Sequence, residues 1–215
     1  MLVHSETEAL VLMPLNVVSV MPPELAEASP KLWQALLTEA RALPNDLKTL
    51  PLADARALWL RSIAEARSQN REGVVGFESA ARIFARQLSG FAEFGSILIP
   101  TLFVQQAPIE GLTASWDDIE ESLELPGAVD PEDLRIEGHA SAASLHVAIL
   151  DEAGGTIFEA QRGIELIVVV RRALDGPSRF ELAPRDEIFE DRAALARAIT
   201  PLLAPFGAAR EPGID

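Results

Sequence analysis

"SLHVAILDEAGGTIFEAQRGIELIVVV", residues 144–170, sets two apolar runs on either side of a double glycine, and the reading of that corner decides the fold. A phosphate-binding loop needs a helix directly after its glycines, so that the first helical N–H groups face the anion. Here Gly154-Gly155 is followed by "TIFEAQRGIELIVVV", rich in β-branched and aromatic residues, which reads as strand. Asp and Gly at a short corner between two such runs are the signature of a β-hairpin, because glycine reaches the positive φ values that the turn requires. The expectation is an antiparallel pair, strands 134–150 and 156–172, joined by a turn.

Upstream, "EALVLMPLNVVSV" (8–20) is aliphatic without clean alternation, which suits a strand covered on both faces; it is expected as the first, central strand, Val11 to Val20. Ser29 before Pro30 reads as a cap at a helix start, and Leu32, Trp33, Leu36, Leu37, Ala40 and Leu43 follow at helical spacing. "DLKTLPL" (46–52) fits a short strand. A helix over 53–67 would turn Ala55, Leu58, Trp59 and Ile63 inward, and one over 77–88 would bury Phe77, Ala81, Phe84 and Leu88 before Gly90. "GSILIPTLFVQQ" (95–106) is strand again, with Pro100 demanding a bulge or an edge position. A last helix, capped by Asp191, is apolar through Leu195, Ala198, Ile199, Leu202 and Leu203.

This order predicts an α/β fold: a two- or three-layer sandwich with a mixed sheet, a long C-terminal antiparallel hairpin and flanking helices. One domain is expected over 9–206, with tails at 1–8 and 207–215 and an acidic irregular loop at 107–134, where Pro108, Gly111, Pro126, Gly127 and Pro131 fall.

With 215 residues, 48% of them hydrophobic, the chain can fill a large core without a covalent staple. Eighteen Lys and Arg against 33 Asp and Glu give a net charge of −15, a field that repels nucleic acid and anionic lipid. No cysteine is present, so thiol nucleophiles, disulfides and zinc–thiolate sites are excluded. The apolar run 9–21 is too short to span a bilayer and is broken by Pro14 and Asn16, so no membrane insertion is expected. These features fit a cytoplasmic protein, or a periplasmic or envelope one if an upstream signal has been removed.

Chemistry is sparse. His4, His139 and His146 are too scattered for a metal set; the last two stand seven residues apart in one strand, on opposite faces. Ser141 and Ser144 near His139 read as outward strand residues rather than nucleophiles, and no Ser/His/Asp set is recognisable. Arg56, Arg61, Arg67, Arg82 and Arg86, mixed with acids, read as a solvated helical face. The dense cluster is "SWDDIEESLELPG" (115–127). Its spacing matches no calcium loop, and a solvated acidic turn is preferred over a metal site. Trp116 within it is either a plug pinning the loop to the core or an exposed partner contact. If the chain docks a partner, Trp116, Asp117, Asp118 and Glu120 are the candidate contacts; no cofactor and no catalytic residue is assigned.

The element order, with "ALVLMPLNVV" as opening strand and "SLHVAILDEAGGTIFEAQRG" as hairpin, resembles the small α/β domains of bacterial envelope accessory proteins: the TolB N-terminal domain, CsgG-like secretion lipoproteins and LpoB-like activators of cell-wall synthases. "FAEFGSILIPTLFV" stands where that group has a strand after a helix. The resemblance implies a non-catalytic protein-interaction or assembly accessory module with protein partners, self-association being left open. The chain departs from the group in lacking a lipid-attachment cysteine and in its longer acidic insertion around Trp116. The alternatives are a small-molecule-binding protein or enzyme with a pocket at the strand carboxyl ends, near Asn16 and Pro100, and a cytosolic subunit of a larger assembly. A deep pocket with convergent polar groups would favour the pocket reading, and a shallow surface the docking one.

Overall fold

The computed structural model describes residues 9–17, 21–69, 76–123, 136–171, 179–183 and 186–207. Eight strands form one mixed sheet: β1 (Leu10–Leu12), β2 (Asn16–Val17), β3 (Leu47–Thr49), β4 (Ser96–Gly111), β5 (Thr113–Trp116), β6 (Ile119–Ser122), β7 (Ile136–Asp151) and β8 (Thr156–Leu166). A two-stranded ribbon, β9 (Val168–Arg171) with β10 (Arg179–Leu182), follows. The helices are α1 (Pro23–Arg41), α2 (Leu52–Gln69), α3 (Phe77–Ser89), α4 (Arg192–Ile199) and, after a 3₁₀ turn at Thr200–Leu203, the short α5 (Ala204–Gly207).

β4 and β7 form the backbone of the sheet, antiparallel over sixteen residues from Ser96↔Asp151 to Gly111↔Ile136. At one end β1 runs parallel to β4, with β3 outside it; further along, β2 continues the line of β1, and beyond it β5 and β6 fold back along β4. β8 lies outside β7. The middle of the sheet is therefore β4 rather than the first strand, and 18–20 lie outside the described residues. β1 breaks after Leu12 because Pro14 has no ladder donor, and the break answers a second proline. Leu98 presents its carbonyl to Met13 N–H at 2.9 Å on that side. Two residues on, Pro100 presents its nitrogen to the same side, where the register skips from Leu12↔Leu98 to Asn16↔Thr101. Pro100 thus sits buried in the central strand without a bulge, its missing donor facing a gap instead of a partner.

One face carries α1 and α4, where Leu25, Leu32, Leu36, Leu195 and Ile199 meet Leu98, Leu102, Leu145, Val147 and Ile149. The other carries α2 and α3, where Ala55, Ala81, Phe84 and Leu88 meet Val11, Ile97 and Leu150. This is a three-layer arrangement. Trp33 and Trp59 are only half-buried, and Phe77 lies against Trp59 with ring centroids 5.7 Å apart while staying 46% exposed.

α1 begins at Pro23, two turns before the expected cap, and runs through Pro30. Proline there removes the bond to Ala26 O, and the Ser29 hydroxyl donates to that carbonyl instead, at 2.7 Å, so the helix continues. α4 starts where the sequence placed it: Asp191 accepts from Ala193 N (2.9 Å) and Ala194 N (3.0 Å).

The double glycine is a hairpin corner. Asp151 Oδ1 accepts from Ala153 N (3.0 Å) and Gly155 N (2.7 Å), and Gly154 adopts φ 79°. Gly154 also lies on α3, where a Cβ would come within 2.5 Å of Arg82 Cα. The turn needs glycine for its conformation and again for its closeness to the helix.

The segment 107–122 is not the irregular loop expected. Ala107–Gly111 extends β4, and β5–β6 form a hairpin whose two-residue turn uses Asp117 (φ 39°) and Asp118 (φ 60°), the mirror-image turn that suits the twist of paired strands. Aspartate is one of the few non-glycine residues enriched in that left-handed region. Residues 124–134 lie outside the described set, as do the expected tail 1–8, with His4, and all of the expected tail 207–215 except Gly207, which ends α5.

Candidate functional site

The β5–β6 hairpin curls over the face of the sheet that also carries α2 and α3, so that its tip reaches β8. Gly163 N–H donates to Asp117 O at 3.0 Å, and Leu166 N–H donates to Glu121 Oε2 at 3.0 Å. A second core closes beneath it from Ala107, Ile109, Ala114, Trp116, Ala142 and Leu166. Gly163 is the contact point, since a Cβ there would lie 2.6 Å from both Trp116 Nε1 and Ile119 Cγ1.

Trp116 is 6% exposed, and its indole N–H donates to Ala143 O at 3.3 Å. It is the plug, and its candidacy as an exposed contact is corrected: the ring fills the space above a strand that glycine keeps low. Asp117 is half-buried, and its Oδ2 gathers donors from Ser144 Oγ (2.7 Å), Gln161 Nε2 (2.8 Å) and Gln105 Nε2. A carboxylate with three donors pins the hairpin to β4, β7 and β8 together. Ser144, expected to point outward, is fully buried in this network. Asp118 and Glu120 are exposed.

Between α2/α3 and the hairpin tip a strip of this face remains partly open. Register and alternation place Thr101 and Phe103 of β4, His146 of β7, and Glu159 and Gln161 of β8 on it, all half-buried or exposed. Asn16 of β2 donates to Thr101 Oγ1 at 3.4 Å, and His146 Nε2 lies 2.8 Å from Glu159 Oε1. Among the described residues the imidazole–carboxylate pair has no nucleophile hydrogen-bonded to it, and the Ser144 proton goes to Asp117. His139 is exposed on β7, on the opposite face from His146 as their odd spacing dictates. Among the described residues, no three His, Asp or Glu side chains converge as a metal set. Surface furrows among the described residues include one of about 440 Å³ between α2 and α3, edged by Gln69, Ser79, Arg82 and Arg86, and one of about 590 Å³ between α1 and α4, edged by Gln34, Thr38, Glu39 and Arg192. Both open to solvent; the first is walled mainly by polar side chains, and the second is also lined by Pro30, Ala35, Phe189 and Leu195.

On the other face, Glu165 follows a β-bulge in β8 and accepts Phe189 N–H at 2.8 Å. Burial first, then repulsion from Glu121 and Asp191, raises its carboxyl from 4.5 to about 7 against the opposing Phe189 N–H and Lys31. Phe189 itself holds φ 61°, and Lys31 Nζ ties its segment to α1 by donating to Asp186 O (2.9 Å) and Ile188 O (3.1 Å) and pairing with Glu190. Nothing in the sequence around Glu165 marked it, because its burial depends on the 186–190 segment arriving from elsewhere.

The backbone of β8 has its own chemistry. Gly163 turns its N–H outward, away from β7, so Gln161 and Glu159, two and four residues earlier, turn their N–H and C=O groups the same way. Among the described residues those outward groups have no hydrogen-bond partner. The opposite edge, β3, is only three residues long, and Lys48 there donates to Glu93 O at 2.9 Å.

No family model matches the chain, and no curated protein matches it. Among solved structures, the PelC dodecamer from Paraburkholderia phytofirmans is 10% identical over 96% of this chain and 92% of that one, with a TM-score of 0.35. A homolog of a neuraminyllactose-binding hemagglutinin from Helicobacter pylori is 10% identical over 92% of this chain and 82% of that one, with a TM-score of 0.37. Likeness at this level says nothing about what the chain does.

Proposed function

We propose that this chain is a non-catalytic docking module that takes an extended segment of a partner protein onto the outer edge of β8 by strand addition. The observation that carries the reading is the run of outward backbone groups at Glu159 and Gln161, unpartnered among the described residues, next to a hairpin that already uses the same edge at Gly163. Main-chain hydrogen bonds along such an edge supply affinity, and alternate side chains supply specificity. Furrows that open to solvent, and a His146–Glu159 pair with no nucleophile bonded to it among the described residues, support docking over small-molecule chemistry. The resemblance to envelope accessory domains supports an assembly role in the bacterial cell envelope.

Proline offers a clean test, because it is tolerated where an edge N–H faces solvent and disruptive where the N–H belongs to the ladder. Glu159→Pro removes an outward donor and leaves the β7–β8 ladder intact, whereas Ala160→Pro removes an inward one. Proteins retained from an extract of the native organism by the parent should be lost with Glu159→Pro, and lost more completely than with Glu159→Ala, which removes the side chain but keeps the outward N–H, at unchanged circular dichroism. Equal retention by Glu159→Pro would refute edge docking.

A further inference from the structure

Resting on the edge-docking reading, we infer that the segment taken up by β8 alternates cationic and apolar residues, with its cations on the hairpin side of the sheet. A strand added beside β8 continues the pleat, so its side chains fall alternately on the two faces. On the hairpin side its neighbours are Glu159, whose side chain is 64% exposed, Gln161, and the exposed Asp118 at the tip docked on Gly163. His146 occupies one carboxylate oxygen of Glu159 at 2.8 Å and leaves the other. On the α1/α4 side the neighbours are Phe158 and Ala160, half-buried against the main core, followed by Arg162. A cation is thus attracted on one face only; on the other it would meet apolar surface and a like charge. The chain's net charge of −15 steers a basic segment to the protein, and the edge sorts it by alternation.

The probes are blocked six-residue peptides: alternating Lys-Val, alternating Thr-Val, alternating Glu-Val, and a peptide of three lysines followed by three valines. Amide shifts and exchange protection in the full chain report where they bind. The alternating Lys-Val peptide should protect the Glu159 and Gln161 amides and bind at least fivefold more tightly than either the Thr-Val or the block peptide; the Glu-Val peptide should not bind. Glu159→Gln combined with Asp118→Asn should erase the preference for Lys-Val over Thr-Val without abolishing Thr-Val binding, and raising NaCl should weaken Lys-Val selectively. Equal binding of Lys-Val and Thr-Val, both lost with Glu159→Pro, would overturn the charge assignment and leave edge docking standing. Equal binding of the block and alternating lysine peptides would overturn the alternation. Binding of any of them that survives Glu159→Pro, or protection elsewhere than β8, would overturn both readings.

Discussion

Glu165 makes the stability of this domain depend on pH in a direction opposite to that of an ordinary salt-bridged carboxylate. Its folded-state carboxyl titrates at about 7 against an ordinary value of 4.5, with burial as the leading cause. Between those values the folded chain holds a proton that the unfolded chain has released. Stability is therefore greatest below about pH 4.5 as far as this group is concerned, and falls as pH rises through 7. At 1.36 kcal/mol for each tenfold change in proton affinity, the full loss is about 3 kcal/mol at pH 8 and under about 1 kcal/mol at pH 5. Glu165→Gln keeps the shape and the acceptor for Phe189 N–H but cannot ionise. In urea titrations it should exceed the parent by about 3 kcal/mol at pH 8 and nearly match it at pH 5, with the melting temperature at pH 8 raised by roughly 6 to 12 °C. If parent and variant lose stability in parallel between pH 5 and 8, or if the variant is weaker at pH 8, then Glu165 is not held neutral by its surroundings and the reasoning fails.

Two further predictions concern the corners that close the fold. Trp116→Ala should cost about 3–5 kcal/mol, since it empties the second core and leaves Ala143 O without its donor; chemical denaturation showing a loss under about 1 kcal/mol would return Trp116 to the surface. Gly154→Ala should cost more than about 2 kcal/mol, because it forces a side chain both into a positive φ and against the α3 backbone at 2.5 Å. Gly155→Ala, whose Cβ would meet only the Asp151 side chain at 3.0 Å, should be milder, and equal melting temperatures for the two would contradict the described corner.

Local chemistry made much of the fold readable in the sequence. The Asp151–Gly155 turn, the Asp191 cap and the helical spacing of Leu32, Leu36 and Ala40 each depend on residues within a few positions of one another, so short-range preferences and periodicity suffice. Where two signals competed, the sequence misled: Ser29-Pro30 has the form of a helix start, and only the hydroxyl's bond to Ala26 O shows how the helix passes through it. Pro108, Gly111 and the acids in 107–122 suggested a loop, yet the same Asp117 and Asp118 serve a strand hairpin. What decides between those states is Gly163, more than forty residues downstream, on which Trp116 and Ile119 settle. The docking edge and Glu165 were invisible for the same reason. Whether a strand's outer groups are paired, and whether a carboxyl is dry, depends on which distant elements stop short of it and which cover it, and no pattern along β8 itself carries that information.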